Sequence, residues 1–350
     1  MIEINLALLF IVFLILLFIL ISLFFYLTVK KYLKNQMRQR IDAFKEEYRL
    51  AVFHYLQSGQ SGAMESDLGE EKVIALIELL SDYSNVIVGS DVEERIHLFA
   101  KEHITDFLKK ELKQKRWSLR MNALFSIEDF YMVHCVPFLH ELYQRRGTSL
   151  SEKAQILKLL AKFDDPKIVD YLKETDESLS EFSLVSILSV MEDEKLDELI
   201  AGFDDLPKRM QYIVVDMIGR RQLTGHHSLL QRLVLEDETE LRIRSLKAYA
   251  NSGIPIDAEA IYEFFKSDNW QLRMMAVKVS GMQRIEGYQS TLITLLSDPE
   301  YVVRAEAAKA LLRFKEGEAI LQRVIEESKD AFAKDMAVEW LEKGGSGYSY

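Results

Sequence analysis

Trp270-Gln-Leu-Arg-Met-Met-Ala-Val277 decides how this chain folds, because a near twin, Trp117-Ser-Leu-Arg-Met-Asn-Ala-Leu124, stands 153 residues earlier. Both read W-x-L-R-M-x-A-[LV]. Shorter copies are Leu241-Arg-Ile-Arg-Ser-Leu246 and Val303-Arg-Ala-Glu-Ala-Ala308. Self-similarity at a period of about 30 residues marks a repeat architecture. Anchoring each copy on the Arg of L-R-M-x-A, or on its equivalent, gives Arg120, Lys153, Glu181, Arg209, Arg242, Arg273, Arg304 and Lys334. The steps are 33, 28, 28, 33, 31, 31 and 30 residues. Four residues after the anchor an apolar side chain stands every time: Leu124, Leu157, Val185, Ile213, Leu246, Val277, Ala308 and Val338. Three residues after it a small one stands in five copies: Ala123, Ser245, Ala276, Ala307 and Ala337. These offsets describe one buried helical face, with a small residue that admits a neighbouring helix.

Another short apolar segment precedes some of these helices. Tyr288-Gln-Ser-Thr-Leu-Ile-Thr-Leu-Leu296 comes before Ser297-Asp-Pro-Glu300, where Pro299 suits the first turn of the following helix. Extended to every copy, the unit is a pair of antiparallel helices that buries its apolar faces by stacking on the next pair. Leu295-Leu-Ser-Asp-Pro-Glu-Tyr-Val-Val-Arg-Ala-Glu-Ala-Ala-Lys-Ala-Leu311 resembles the HEAT-repeat pattern L-L-x-D-x-x-x-x-V-R-x-x-A-A-x-A-L. Asp268 to Val277 and Asp237 to Leu246 resemble its second helix. The likeness is good over 115–125 and 237–342. It weakens over 150–235, where Ile156, Leu184 and Tyr212 replace the small residue and Glu181 replaces the basic one. The resemblance implies an all-α, right-handed α-solenoid of about eight helix pairs over 115–343. It also implies that Asp237, Asp268 and Asp298 bond Arg242, Arg273 and Arg304 of neighbouring repeats in a ladder. The divergent middle copies are expected to pack less closely.

Composition agrees with a helical body. Of 350 residues, 49% are hydrophobic and only five are proline. Alternating Val/Ile/Thr runs closed by Asn-Gly or Asp-Gly are nearly absent. With Cys135 as the sole cysteine no intrachain disulfide can form, which suits a reducing compartment.

The first stretch is of another kind. Residues 4–29 carry no charged side chain. As a helix they would span roughly 39 Å, more than the roughly 30 Å hydrocarbon core of a bilayer, so a tilted transmembrane helix is expected. A cleaved signal peptide is the alternative. The apolar run is too long for one, and no small-x-small site follows it. Lys30, Lys31, Lys34, Arg38 and Arg40 follow directly, while only Glu3 precedes. The positive-inside rule then puts the N-terminus outside and the body in the cytoplasm. Those five cations are the candidate contacts with an anionic membrane surface. Residues 41–350 carry a net charge of -15, which argues against nucleic acid as a partner.

Between anchor and repeats the order is as follows. Residues 30–56 continue as an amphipathic helix, serving either as a stalk or as a cap over the first repeat. Residues 57–69 are a Gly/Ser linker, and 70–114 form an N-terminal helical cap. In that cap Ser90-Asp-Val-Glu93 reads as a capping box opening a helix to about Lys113. Residues 344–350 form a disordered tail.

No catalytic, cofactor or metal site is expected. Phosphate loop, H-E-x-x-H, C-x-x-C and G-x-S-x-G are all missing from the sequence. His134, Cys135 and His140 have Pro137 among them and no second cysteine to complete a zinc site, so Cys135 reads as a core thiol. His226 and His227 read as a solvated helix start.

The candidate partner-binding residues are therefore Trp117, Arg120, Trp270, Arg273 and Arg304, since Trp and Arg are enriched among interface hot spots. The competing reading has both tryptophans packing on an adjacent turn. The function expected is a membrane-anchored scaffold or adaptor for a membrane-associated protein. The resemblance to bacterial membrane-anchored HEAT proteins implies a glycosyltransferase partner in envelope polysaccharide synthesis. The alternatives are a HEAT-like lyase and a peptide-recognising trafficking or transport adaptor.

Overall fold

The computed structural model describes residues 6–59, 68–84, 86, 89–175 and 178–345, which form helices and turns without a strand among them. Residues 4–5 of the apolar stretch, most of the 57–69 linker and positions 346–350 of the tail lie outside the described residues. Two compact units divide at Phe163 and Asp164.

The first unit opens on α1 (Leu6–Ser58), followed by α2 (Glu70–Ser84), α3 (Ser90–His103), α4 (Thr105–Glu111), α5 (Trp117–Asp129), α6 (Val136–Gln144) and α7 (Leu150–Lys162). The single helix α1 has two characters. Its N-terminal part is long and apolar enough to cross a membrane, with a mean hydropathy of 3.2 and none of that window buried. Further on, Ile41, Val52 and Leu56 are buried, and α1 packs along α2. Ion pairs flank that seam: Arg38 bonds Glu78 at 2.6 Å, Arg40 bonds Glu71 at 3.0 Å, and Lys45 bonds both Glu78 and Asp82. Arg95 closes the helix by donating to the carbonyls of Leu56 and Gln57 at 2.8 and 2.7 Å. The described contacts of the later part of α1 are with α2 and α3. Arg38 and Arg40 are consequently engaged with α2, whereas Lys30, Lys31 and Lys34 are exposed.

Two local expectations need correction. Ser90 is the first residue of α3 rather than its cap. Gly89 occupies the N-cap, and no side chain caps the helix there. The helix also does not reach Lys113. It breaks at Ile104, where Thr105 Oγ1 donates back to the Lys101 carbonyl at 2.9 Å and pairs with His134 Nε2 at 2.8 Å. A Thr hydroxyl that bonds the preceding turn competes with helix continuation.

The second unit holds α8 (Ile168–Lys173), α9 (Glu181–Ser189), α10 (Asp193–Ala201), α11 (Lys208–Arg220), α12 (His227–Leu235), α13 (Thr239–Ser252), α14 (Ala258–Tyr262), α15 (Trp270–Gln283), α16 (Gln289–Leu295), α17 (Tyr301–Leu312), α18 (Gly317–Glu327) and α19 (Ala331–Gly345). Every anchor residue falls in an odd-numbered helix from α5 to α19, and a short helix separates each from the next. In this unit α9, α11, α13, α15, α17 and α19 each lie against the next, forming a row. The small residues three after the anchor, Ser245, Ala276, Ala307 and Ala337, are fully buried. Val338 departs from the expected face and is 40% exposed; on α19 the buried side chains are Ala333, Met336 and Ala337. Pro299 also sits outside its helix, before the N-cap Glu300. The tail begins later than expected, since α19 runs through Gly345.

Close packing is not confined to the regular copies. A Cβ on Gly281 would stand 2.5 Å from Ala310 Cβ, and one on Gly219 would stand 2.7 Å from Ala248 Cα. The divergent helix α11 thus approaches α13 at Gly219 about as closely as α15 approaches α17 at Gly281. The glycines let these helix backbones nearly touch.

Candidate interaction surfaces

The anchor arginines are occupied by the fold. Arg273 donates from Nε and Nη2 to Asp298 of the next copy at 2.7 and 2.9 Å. Its Nη1 reaches back to the carbonyls of Ser267 and Asp268. Arg120 repeats the geometry, with Nη1 on the carbonyls of Gln114 and Lys115 at 2.9 Å and a bidentate pair to Glu152 on α7. Arg304 takes the carbonyls of Asp298 and Pro299 and lies between the Tyr301 and Phe332 rings.

Only one of the expected ladder rungs, Arg273–Asp298, joins neighbouring copies. Arg242 meets Asp237 within its own copy at 3.5 Å, and Asp268 receives Arg273 through its carbonyl alone. The Arg120–Glu152 rung was not foreseen because its acid is a glutamate from a different column. Its signal was nonetheless available: Ser149-x-x-Glu152 forms a capping box, and the same carboxylate turns outward to Arg120. Burial raises the Glu152 carboxyl, but bonds from Arg120 and Ser149 more than offset it and hold the group down at about 2.

The tryptophans differ from the arginines. Trp117 and Trp270 open α5 and α15 with 50% and 38% of their surfaces exposed. Tyr301 and Leu150, at the equivalent position of their copies, are exposed as well. Exposed aromatic side chains at helix starts leave ring area available to a partner.

A groove that the sequence reading missed crosses the row in the second unit. It is about 610 Å³ and is lined by side chains of α9, α11, α13 and α15, among them Phe182, Val185, Ile243 and Met275. Phe182 is 83% exposed. Arg244 lies in the groove wall, bonded to Asp216 at 2.6 Å and also to Glu240 and Glu181, with the Tyr212 ring 5.1 Å away. Burial works against its charge, but those carboxylates outweigh the cost and raise its pKa. Lys247 shares Asp216 at 3.1 Å. The groove lies where the repeat pattern is weakest, so position-by-position comparison with the regular copies could not reveal it. The signal available was Phe182 itself, a large apolar residue one position after an anchor.

The first unit has a cleft of about 790 Å³ lined by Glu93, Glu94, His97, Glu128, Asp129 and Tyr131, among others. Lys158 and Lys162 pair with Glu128. No group of three or more His, Cys, Asp or Glu among the described residues could hold a metal ion. Cys135 is buried and free, with its thiol raised by burial. His226 is the N-cap of α12 and His227 its first residue, the helix start that the sequence reading expected, and His226 also pairs with Asp197 at 2.6 Å.

No family model matches the chain, and no curated protein matches it. Among solved structures it is similar to human deoxyhypusine hydroxylase in complex with glycerol, at TM-score 0.28 and 15% identity, covering 88% of this chain and 97% of that one. It is also similar to an engineered protein at TM-score 0.27 and 16% identity, covering 69% of this chain and 96% of that one. Superpositions this loose assign no residue of this chain a role.

Proposed function

We propose that the chain is a single-pass membrane scaffold. Its body is a HEAT-like, right-handed helical solenoid on the cytoplasmic side, and it binds a membrane-associated protein partner. The observation that carries the reading is the division within α1, whose apolar part is uncovered while its later part is packed onto α2. A bare apolar stretch of that length has no stable place in water. A helix continuous from that stretch into the body ties the two mechanically, so the repeats stay at the membrane surface. Confinement there raises the effective concentration of the body for a partner in the same membrane. Phe182, Trp270 and their neighbours supply uncovered apolar area on the row of helices.

The test is chemical cross-linking of the full chain in its native membranes, followed by affinity purification and mass spectrometry. Enrichment of one integral-membrane protein in stoichiometric amount is expected. A chain washed off membranes by alkaline carbonate, or one that cross-links to no membrane protein, defeats the proposal. A membrane glycosyltransferase among the products would identify the partner class that the repeat resemblance implies.

A further inference from the structure

Lys113, Lys115, Arg145 and Arg146 line one small pocket of the first unit, about 180 Å³ in volume, together with Arg120 and Thr148. Water occupies about 30 Å³ per molecule in the liquid, so the pocket suits a group of about six waters' bulk. Its described lining holds no carboxylate.

Two turns form the walls, and each is pinned. The turn after α4 carries Lys113 and Lys115. Arg120 Nη1 holds it by donating to the carbonyls of Gln114 and Lys115, both at 2.9 Å. Arg120 is itself bound to Glu152 and so is spent on the fold. The turn after α6 carries Arg145 and Arg146. It reverses at Gly147, whose φ of 94° favours glycine. The Thr148 amide and hydroxyl then donate to the carbonyls of Arg145 and Leu142 at 3.3 and 2.7 Å.

The four remaining cations have no partner of opposite sign. Lys113 lies 5.7 Å from the Phe138 ring. The side chains of Lys115, Arg145 and Arg146 make no hydrogen bond or ion pair among the described residues. Of the acids flanking the two turns in the chain, Glu111 is buried and Glu152 serves Arg120 and Ser149, while Glu141 is exposed and pairs with none of the four. Helices α4 and α6 end at these turns, and a helix C-terminus offers at most about half a negative charge. Two such ends offset about one cation of the four. The rest of the body behaves otherwise. Residues 41–350 carry a net -15, and the exposed Lys208 and Arg232 find Glu238 and Asp204. Positive charge left uncompensated in one pocket, where acids are in excess over the body, attracts an anion from solution or from a surface.

We infer that this pocket binds a phosphoryl group. A phosphomonoester carries about -1.5 to -2 at neutral pH and three strong acceptor oxygens. Guanidinium groups match those oxygens with paired N–H bonds, which Arg145 and Arg146 offer, and lysines add compact charge from the other wall. The group is supplied either by a lipid headgroup or by a soluble phosphate, and the chemistry recognised is the same. The inference goes beyond the scaffold reading and does not depend on it.

The test places the full chain in zwitterionic nanodiscs and reads amide hydrogen exchange by mass spectrometry over 113–117 and 144–149. One arm adds inorganic phosphate, and the other replaces part of the lipid by phosphatidic acid. A ligand at about ten times its Kd slows exchange through local opening about tenfold, and slowing of that order in both turns is expected from at least one arm. Slowing by inorganic phosphate assigns a soluble ligand, and slowing by phosphatidic acid alone assigns a headgroup. R145Q/R146Q breaks no bond within the fold. It should abolish the slowing while exchange in α2 and α7 stays at the wild-type rate. If α7 is disturbed, K113Q/K115Q takes its place under the same criterion. Unchanged exchange in both arms at millimolar phosphate overturns the inference. So does equal slowing by sodium chloride at matched ionic strength, which is screening alone, and so does slowing that survives the substitutions.

Discussion

Glu152 shows how one side chain ties two repeats together. It is fully buried, caps its own helix through Ser149 and receives the guanidinium of Arg120. Breaking such a pair leaves a charge buried without its partner, which costs about 3–5 kcal/mol. Glu152→Gln is therefore expected to speed amide hydrogen exchange in α5 and α7 at neutral pH. The effect depends on pH with a definite sign. The folded carboxyl titrates at about 2, below the roughly 4.3 of an unfolded glutamate. Its stabilisation is complete above about pH 5 and is lost as pH falls toward 2, so wild type and variant converge over that window. An exchange difference that stays constant from pH 7 to 3 would show that the Arg120 bond contributes nothing. Trp270 and Arg273, three residues apart, should separate cleanly. Arg273→Ala orphans Asp298, whose side chain is 3% exposed, and is expected to destabilise by several kcal/mol. Trp270→Ala removes a side chain still 38% exposed, so a smaller loss of stability than that of Arg273→Ala should accompany reduced cross-linking to the partner. Lost stability with cross-linking intact would return Trp270 to the fold. The sequence displayed both residues but could not divide their roles, because an arginine's bonds to carbonyls five and six residues back leave no trace in a spacing pattern.

At the scale of the helix, the repeat was legible because burial imposes a period. The column three after the anchor is small in five of the eight copies, and the column four after it is buried on most helices, so α5 to α19 could be placed from their anchors. What stayed hidden were points set by one pair of backbones. Gly281 lies outside the small-residue column, yet Ala310 of α17 packs directly against it. Gly281→Ala should raise intrinsic helix propensity by about 1 kcal/mol. The new Cβ would stand 2.5 Å from Ala310 Cβ, an overpacking that costs about 1–3 kcal/mol. A net loss in thermal stability is expected. Gly287→Ala is the control, since its added Cβ meets nothing within 4 Å, and it should leave the melting temperature nearly unchanged. Equal effects of the two substitutions would mean that the α15–α17 approach is relaxed in solution. The break at Ile104 was hidden for a similar reason, since it depends on Thr105 having His134 within reach, and the two are 29 residues apart in the chain.

For the whole molecule, charge and hydropathy act together. One negative charge precedes the apolar stretch, five positive charges occupy residues 30–40, and the remainder holds -15. Lysine and arginine near a span retard translocation of the side that bears them, whereas acidic residues count for little. The acidity of the body therefore does not oppose a cytoplasmic location, while Lys30, Lys31 and Lys34 favour it. Under the proposed topology Arg38 and Arg40 would add to this bias during insertion, and in the folded chain they pair with Glu78 and Glu71. Trypsin added to right-side-out cells should leave the body intact, and trypsin added to inverted vesicles should digest it. Replacing Lys30, Lys31 and Lys34 by glutamine should produce a measurable fraction with the opposite protection. Replacing Arg38 and Arg40 instead should loosen the α1–α2 seam and raise hydrogen exchange in α2 while changing orientation less, because they lie further from the span and bond the folded body. If the two substitution sets acted alike on both measurements, the basic cluster would be one functional unit, and its division into a membrane-facing part and a body-facing part would be wrong.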